Sequence, residues 1–133
     1  IINCSRDPMD IGWSNYKQNF SSGNLGFAYN LTNIGKFYNI YSEFMDHWNE
    51  LYSEKIYEIN YEEFTSNFEE ELKKLLKFCH LEWSQDCVQF YNNKKSVITS
   101  SLAQVRQPIY KTSVASWKNY ADKLEILKKT LKR

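Results

Sequence analysis

Arg6 and Ser14 have the residue types and the spacing of a binding site for a phosphate group. Arg6 follows a short apolar run, and Ser14 stands eight positions later in a predicted helix. Ligands of open α/β sheets bind beyond the carboxyl ends of the strands, and Ser14 returns to that side because it lies about two helical turns after Asp7. A guanidinium and a hydroxyl on one side can bind a phosphate, the arginine through two parallel hydrogen bonds. On spacing alone, Arg6 has two alternative roles: an ion pair with Asp10 or a cap on the sheet edge.

Arginine is rare in this chain, so the positions of the arginines are informative. The sequence contains 14 lysines and three arginines, namely Arg6, Arg106 and Arg133. Arginine differs from lysine in its planar, forked set of donors, and a lysine-rich chain should use it mainly where that geometry matters. Arg6 and Arg106 both lie at predicted loop junctions near helix starts, which favours a need for forked donors at both positions.

The elements that position Arg6 and Ser14 follow from the apolar pattern and from a helix start signal. Residues 1–4 form a short apolar run that is typical of a buried parallel strand. Asp7 followed by Pro8 combines an N-cap acceptor with proline at the first helical position. These two residues predict a helix that runs to about Asn19.

The clearest predicted element is a long helix with one continuous apolar face. Its apolar residues recur at steps of three and four, which is the helical period. They are Ile34, Phe37, Tyr38, Tyr41, Phe44, Met45, Trp48, Leu51 and Tyr52. Such a stripe is typical of core packing, and we expect it to be buried. A cofactor-binding role for the aromatic stripe is the less favoured alternative.

A strand and a further helix are predicted next along the chain. Residues 55–60 alternate between polar and apolar types, as a short strand does. Ser66 and Glu69 match a capping box that opens a helix with Leu72 and Leu76 on its inner side. The glutamate run followed by lysines along this helix complements the helix dipole, and we interpret it as a solvated face.

The last third of the chain contains a long loop between two helical segments. A short helix is predicted over residues 83–91, and residues 92–112 form a polar loop of a length that is often functional. A final helix is predicted from about Ser113, with its inward residues at Trp117, Tyr120, Leu124, Leu127 and Leu131. The order of strand, helices, strand and helices indicates a helix-rich portion of an α/β fold.

Composition indicates one packed domain and argues against several classes of function. Hydrophobic residues make up 42% of the 133 residues and aromatic residues 17%, which favours a globular core over disorder. A formal charge of +1 offers no basic field to nucleic acid or to a membrane surface, and no apolar run approaches the roughly 20 residues of a bilayer-spanning helix. Three cysteines without a CxxC pair indicate reduced thiols in the cytoplasm, and two isolated histidines argue against a metal site.

Four segments of the chain together resemble sulfotransferases. Residues 6–16, with the sequence RDPMDIGWSNY, resemble the family's R-[ND]-P-x-D-x-x-x-S-x-Y segment. Residues 59–64, INYEEF, resemble a strand that ends in a Y-E-[DEQ]-[LF] turn, and residues 75–83, LLKFCHLEW, resemble a helix that closes in L-x-F-[CL]-G-L-x-W. Residues 101–110, SLAQVRQPIY, together with Ser113, Ser116 and Trp117, resemble the loop that folds over the nucleotide. The likeness is nearest to tyrosylprotein sulfotransferases and to bacterial sulfotransferases that follow tetratricopeptide repeats.

The resemblance implies a fold class and a reaction for residues 1–133. The fold is α/β, the helix-rich C-terminal portion of a P-loop-like sulfotransferase fold with short parallel strands. The enzyme transfers a sulfuryl group from 3′-phosphoadenosine 5′-phosphosulfate (PAPS) to a hydroxyl or amine of a protein or carbohydrate acceptor, and it uses no metal. The expected partner is therefore that acceptor, with a repeat domain as a candidate N-terminal neighbour, and not nucleic acid or a membrane.

The same resemblance assigns roles to individual residues. In the family, the residues that match Arg6 and Ser14 bind the 3′-phosphate of PAPS, and the residue that matches Tyr61 contacts the nucleotide in some members. The loop residues expected to close over the nucleotide are Ser101, Gln104, Arg106, Tyr110 and Ser113. Phe27 and Tyr29, after the first helix, are candidates for the acceptor side.

The chain also departs from the family pattern. The residue before Trp117 is usually Lys or Arg but is Ser116 here. Two alternatives follow: the contact with the donor phosphate is weakened, or Lys111 or Lys118 supplies it. The phosphate-binding loop for the 5′-phosphosulfate and the general base have no counterpart in the sequence, and we interpret both histidines as structural. The chain opens without a methionine or a basic leader, so we expect these parts upstream. We assign no catalytic residue and expect the isolated chain to bind the desulfated nucleotide weakly without turnover.

Two other functions are considered beside sulfuryl transfer. A fragment of a P-loop-type nucleoside kinase shares the general plan of sheet and helices, and it predicts a preference for ATP. A non-catalytic helical module would use its aromatic helices to bind a protein partner, and it predicts no response to any nucleotide.

Overall fold

The computed structural model describes residues 1–20, 23–93 and 104–132. The chain forms two compact units, the first made of Ile1–Glu58 with Thr112–Arg133 and the second of Ile59–Lys111. The strands and α-helices, in chain order, are β1 (Ile2–Ser5), α1 (Pro8–Lys17), α2 (Leu31–Tyr52), β2 (Tyr57–Asn60), α3 (Tyr61–Ser66), α4 (Phe68–Phe78), α5 (Gln85–Val88) and α6 (Glu125–Thr130). Short 3₁₀ helices span Gly23–Tyr29, Ser53–Lys55, Phe90–Asn92, Gln104–Arg106 and Ser116–Lys123.

The two strands pair with each other in parallel, as the sequence predicts. The amino group of Ile1 donates to the Lys55 carbonyl at 2.8 Å, and the Tyr57 amide donates to the Ile1 carbonyl at 2.9 Å. Ile1 thus bonds to two residues of the other strand that flank Ile56. This is the hydrogen-bond pattern of a parallel ladder. The helix-rich structure with short parallel strands is compatible with the predicted α/β class.

The predicted burial of residues 1–4 is wrong for the part of the chain that the structure describes. Ile1 is 78% exposed and Ile2 is 50% exposed, and Cys4 is exposed as well. The physical reason is that β2 is the one strand paired with β1 among the described residues, so the apolar side chains at its start have little to pack against.

Helix α1 begins as the sequence predicts. The Asp7 carboxylate caps it by accepting hydrogen bonds from the Met9 amide at 2.8 Å and the Asp10 amide at 3.1 Å, and Pro8 occupies the first helical position. The helix ends at Lys17, two residues before the predicted end. The cap fixes where the turns of α1 fall and therefore where Ser14 stands.

Helix α2 is the predicted long helix, but half of its apolar face is exposed. Its N-cap is Asn30, whose side chain accepts from the Asn33 amide at 3.0 Å, and Ile34 and Gly35 near its start are buried. The apolar residues that the sequence predicts to be buried are instead exposed at Phe37 (53%), Phe44 (59%), Trp48 (43%), Leu51 (56%) and Tyr52 (46%). Periodicity shows which side chains share a face, and in the described chain the packing partners of α2 cover mainly its N-terminal half.

The core of the first unit lies where α1, α2 and α6 meet. Met9, Ile34, Leu124 and Leu127 are its buried members. The half-buried side chains around them are Trp13, Phe27, Leu31, Trp117 and Leu131. Leu124 and Leu127 are almost fully buried, which confirms two of the inward residues predicted for the C-terminal segment.

The single C-terminal α-helix predicted from Ser113 is wrong. The segment Ser116–Lys123 is a 3₁₀ helix with non-helical backbone at Tyr120, and α6 covers only Glu125–Thr130. Tyr120 is 46% exposed, although its ring lies 4.3 Å from the ring of Trp13. Apolar spacing alone does not distinguish one helix from two short ones that share a buried side.

The second unit is built around α3 and α4. Thr65 and Leu72 are buried among the residues of this unit that the structure describes, and the ring of Phe68 packs edge-to-face on Phe64 and on Phe90. The charged face of α4 is exposed, as predicted, with ion pairs from Lys73 to Glu69 at 2.9 Å and from Lys74 to Glu71 at 2.6 Å. The helix predicted over 83–91 is shorter, with α5 followed by the 3₁₀ turn Phe90–Asn92.

Helix α4 begins differently from the prediction, and it ends at a turn formed by His80. The predicted capping box is wrong, because Ser66 is the last residue of α3 and Asn67 caps α4 without a side-chain hydrogen bond. At the other end, His80 has a left-handed backbone with φ 55°, where the family pattern has a turn glycine. The His80 amide donates to the Lys77 carbonyl and the Leu81 amide to the Leu76 carbonyl, the two bonds of a Schellman motif. His80 therefore closes a helix.

Candidate functional site

The candidate site is organised by Asp10, a carboxylate that the structure buries completely. Asp10 is 0% exposed and lies in the first turn of α1. Its Oδ2 accepts from the Ala115 amide at 2.6 Å, and its Oδ1 accepts from the Trp117 amide at 3.0 Å and the Ser116 hydroxyl at 3.1 Å. A buried charge is tolerated only when it is paired and hydrogen-bonded, and Asp10 meets both conditions.

Arg6 lies beside Asp10 and binds the same C-terminal segment. Its Nη2 is 3.6 Å from Asp10 Oδ2 and donates a hydrogen bond to the Ser113 carbonyl. The ion pair with Asp10 is thus the alternative role that the sequence left open for Arg6. The guanidinium has five donors in a planar fork, and 17% of the side chain is exposed. Arg6 is therefore anchored internally, while part of its side chain remains accessible to a bound anion.

Ser14 stands one helical turn beyond Asp10 on α1 and is half-buried. Asp10 and Ser14 are four residues apart in α1 and therefore lie above one another along one side of the helix. Arg6 precedes the N-cap Asp7 and is outside the helix, and its contact with Asp10 places it beside the first turn. The backbone amides of Met9, Asp10 and Ile11 at the start of α1 are already bonded to Asp7. An anion at this end of α1 would depend on side chains, and Arg6 and Ser14 have suitable ones.

The segment Ser113–Trp117 turns around the Asp10 carboxylate. Ala115 adopts a left-handed backbone with φ 57° and ψ 20°, which brings the amides of residues 115 and 117 onto the same carboxylate. The hydroxyl of Ser116 is used in this internal contact. Lys118, one of the two lysines expected to replace the usual cation before Trp117, is exposed on the following 3₁₀ helix.

The other residues that the sequence predicts to bind the nucleotide belong to the second unit. Tyr61 is the first residue of α3 and is half-buried, and Gln104 and Arg106 form a 3₁₀ turn in which Gln104 is exposed and Arg106 half-buried. Tyr110 is half-buried. Ser101 lies outside the described residues. The structure thus brings Arg6 and Ser113 into direct contact, and the roles of the other residues stay predictions.

The residues predicted for the acceptor side belong to the 3₁₀ helix Gly23–Tyr29. The ring of Phe27 stacks on that of Phe37 at 4.2 Å, and both rings line an open apolar cavity of about 210 Å³ that Asn15 and Tyr41 also border. The Tyr29 hydroxyl donates to the Phe20 carbonyl at 2.8 Å and accepts from the Phe20 amide at 3.2 Å. Phe27 therefore faces a cavity, while Tyr29 has a structural contact.

Tyr41 belongs to a polar network that joins α2 to the sheet. Its hydroxyl donates to Asn3 Oδ1 at 2.7 Å, and Asn3 Nδ2 donates to the two Glu58 carboxylate oxygens at 2.8 and 3.0 Å. Asn49 Nδ2 donates to Glu58 as well, at 3.1 Å. Burial of the phenol, with the charge of Glu58 nearby, raises the pKa of Tyr41 above its ordinary value of 10.0, and this outweighs the hydrogen bond to Asn3.

The comparison with protein families decides the identity of the chain. Residues 1–85 match the sequence profile described as "Sulfotransferase family". This chain belongs to the sulfotransferase family. The matched range includes Arg6, Asp10, Ser14 and Tyr61, so four of the residues discussed above lie within the part of this sulfotransferase chain that defines the family.

One relative is similar over the whole sulfotransferase chain. It is a protein of Aquifex aeolicus (strain VF5) described as "Uncharacterized protein", and it is 38% identical over 139 aligned residues. The match covers 100% of this chain and 18% of the relative, so the chain spans about a fifth of the relative's length. No solved structure matches the chain.

Two further findings concern the described residues of the sulfotransferase chain. No helix within the described ranges is both long and apolar enough to span a bilayer. No group of three or more His, Cys, Asp or Glu side chains in those ranges is arranged to hold a metal ion.

Asp10 is the site residue whose role the sequence interpretation missed. The sequence offered it only as a partner for Arg6, although it fills the acidic position of the R-[ND]-P-x-D pattern. Its other partners are more than 100 residues away in the chain, at Ala115, Ser116 and Trp117. The aspartate of this motif was the sequence signal that could have revealed the role of Asp10.

Proposed function

We propose that this chain carries the 3′-phosphate contacts of a PAPS-dependent sulfotransferase that transfers a sulfuryl group to a hydroxyl or amine of a protein or carbohydrate. The observation that carries the proposal is the contact of Arg6 with Asp10 in α1 and with Ser113 in the segment expected to fold over the nucleotide. Ser14 lies one helical turn beyond Asp10. Membership of the sulfotransferase family supports the general reaction.

Arg6 and Ser14 fit a phosphate by their chemistry. Arg6 is a cation that is held in place yet partly exposed, and Ser14 is a half-buried hydroxyl one turn beyond Asp10, the partner of Arg6. A hydrogen bond to a charged group contributes roughly 1.5–3 kcal/mol. Bound PAPS would supply the sulfuryl group, and the residues of this chain would bind and orient the nucleotide. Such positioning is a large part of catalysis in group transfer, because it replaces a loss of entropy at the moment of reaction.

The proposal also gives roles to further residues and extends to the type of sulfotransferase and its location. Tyr61, Ser101, Gln104, Arg106 and Tyr110 would close over the nucleotide, and Phe27 with its cavity would lie on the acceptor side. The tyrosylprotein sulfotransferases and those linked to tetratricopeptide repeats are the nearest types by sequence pattern. A cytoplasmic location is part of the proposal, because three cysteines without a CxxC pair suit reduced thiols. Because the chain spans a small part of its relative, acceptor and N-terminal neighbour belong to the same proposal.

Calorimetry with two nucleotides tests the phosphate contacts. We expect the chain to bind 3′-phosphoadenosine 5′-phosphate more tightly than adenosine 5′-phosphate, which lacks the 3′-phosphate. Arg6→Ala should weaken binding of the first nucleotide by about 10- to 150-fold, because it removes one charged hydrogen bond or more. Lys17→Ala is the matched control, since it removes a positive charge from the other end of the same helix.

The outcome that would contradict the proposal is equal affinity for the two nucleotides. An Arg6→Ala variant that binds like Lys17→Ala would also contradict it.

A helical interaction module is the second candidate, and the exposed apolar face of α2 is the observation that favours it. Large apolar patches on a surface commonly mark sites of protein association. A pure interaction module responds to neither nucleotide, so the same calorimetry separates the two functions.

A further inference from the structure

We propose that Asp10 is a positioning residue for nucleotide binding, and that its buried carboxylate holds Arg6 and the Ser113–Trp117 segment in the arrangement that receives the 3′-phosphate. This inference rests on the proposed function. It adds a residue that touches no nucleotide and acts through Arg6 and through the backbone of residues 113–117.

The Asp10 carboxylate is buried and has several hydrogen-bond donors around it. The carboxylate is 0% exposed and receives two backbone amides, one hydroxyl and the nearby guanidinium. A buried carboxylate with so many donors stabilises one arrangement of them, because each donor that moved away would leave part of a charge unsatisfied. The left-handed backbone of Ala115 belongs to that arrangement.

The Arg6 side chain is held in place by its own contacts. Arg6 donates to the Ser113 carbonyl and lies 3.6 Å from Asp10, so two anchors limit the rotation of its side chain. Arginine carries about 2 kcal/mol of rotamer entropy, and an arginine that is already held loses less of it when it binds an anion. Asp10 thus orders the cation and the segment that follows it around the carboxylate at the same time.

Asp7, the other aspartate near the start of α1, has hydrogen-bond partners different from those of Asp10. Asp7 is three residues away, but it accepts from the amides at the start of α1 and holds the helix cap. Asp10 instead faces the segment after residue 112. The two aspartates therefore form a natural pair for comparison, with equal charge, neighbouring positions and different partners.

The test compares Asp10→Asn with Asp7→Asn in calorimetry of the full 133-residue chain. Asparagine at position 10 replaces one acceptor oxygen with a donor that faces other donors, whereas asparagine at position 7 is still a good N-cap. We expect Asp10→Asn to weaken 3′-phosphoadenosine 5′-phosphate at least tenfold and to change the affinity for adenosine 5′-phosphate less than twofold. Asp7→Asn should change the ratio of the two affinities less than twofold.

The ratio of affinities separates a positioning role from a merely structural one. A variant that is only less folded loses apparent affinity for both nucleotides by the same factor, so the ratio stays constant. A variant that misplaces Arg6 loses affinity only for the nucleotide with the 3′-phosphate. Ser116→Ala removes a single donor to Asp10 and serves as a milder variant if Asp10→Asn does not fold, with an expected loss of about three- to tenfold in the ratio.

The outcomes are distinguishable. If the unmodified chain binds the two nucleotides equally, the proposed function fails and this inference fails with it. If the unmodified chain prefers the 3′-phosphate and both Asp10→Asn and Ser116→Ala keep that preference unchanged, the inference alone is overturned. A reduced ratio in either variant, with the ratio of Asp7→Asn unchanged, supports it.

Discussion

Gly12 allows the closest approach of α1 and α6, and replacing it with alanine should destabilise the protein. A Cβ atom at position 12 would lie 2.4 Å from Leu127 Cδ2 and 3.0 Å from Leu127 Cδ1. Leu127 is fully buried, so its methyl groups have little room to move. Overpacking of a core costs about 1–3 kcal/mol, and an overlap of this size favours the upper end. Alanine in place of glycine in a helix gives back about 1 kcal/mol. The net loss should be about 2 kcal/mol.

Urea unfolding of four variants tests this prediction. Gly26→Ala is the matched control, because nothing lies within 4 Å of its new Cβ, and it should be neutral or stabilise by up to about 1 kcal/mol. Leu127→Ala alone should cost about 2–5 kcal/mol. In the double variant Gly12→Ala/Leu127→Ala the overlap is gone, so the alanine at position 12 should become neutral or favourable. A Gly12→Ala variant as stable as the unmodified chain, with no coupling to Leu127, would refute the predicted approach of the two helices.

Two further predictions concern the backbone of the site and the ionisation of Tyr41. Ala115→Gly should raise the free energy of unfolding by about 0.5–1 kcal/mol. A left-handed backbone costs a non-glycine residue about 1–2 kcal/mol, and the greater freedom of glycine in the unfolded chain cancels part of that gain. A lower stability of the variant in urea would argue against the left-handed turn. The raised pKa of Tyr41 means that the folded state holds the phenolic proton more tightly than the unfolded state. Its contribution is fully present below about pH 10 and is lost as the pH rises through the folded-state pKa. The stability difference between the unmodified chain and Tyr41→Phe should therefore stay constant below about pH 10 and shrink as the pH rises from about 10 through the folded-state pKa. A difference that stays constant over that range would contradict the burial of Tyr41.

Local signals in the sequence predicted the frame of the candidate site well. Asp7 and Pro8 define the start of α1 by interactions within four residues, so the position of Ser14 along the helix followed from helix geometry. The parallel pairing of β1 with β2 was also predicted. The same locality explains the error at Ser66, since a capping-box pattern does not reveal that the preceding helix α3 already includes that residue.

Long-range packing was not predictable from the same sequence. The period of the apolar residues predicted α2, but it could not show that Phe44, Trp48 and Leu51 stay exposed among the described residues. The partners of Asp10 are 105 to 107 residues away, and no local pattern connects a carboxylate in α1 with the amides of Ala115 and Trp117. A chain segment that turns around a distant side chain is a property of the tertiary structure.

NMR of the arginine side chains directly tests whether the Arg6 guanidinium contacts a 3′-phosphate. The chain has three arginines, so three Nε–H signals are expected, and Arg6→Lys identifies the one from Arg6. We predict that titration with 3′-phosphoadenosine 5′-phosphate shifts the Arg6 signal and that adenosine 5′-phosphate leaves it in place. An Arg6 signal that does not move with the first nucleotide, or that moves equally with both, would contradict the claim.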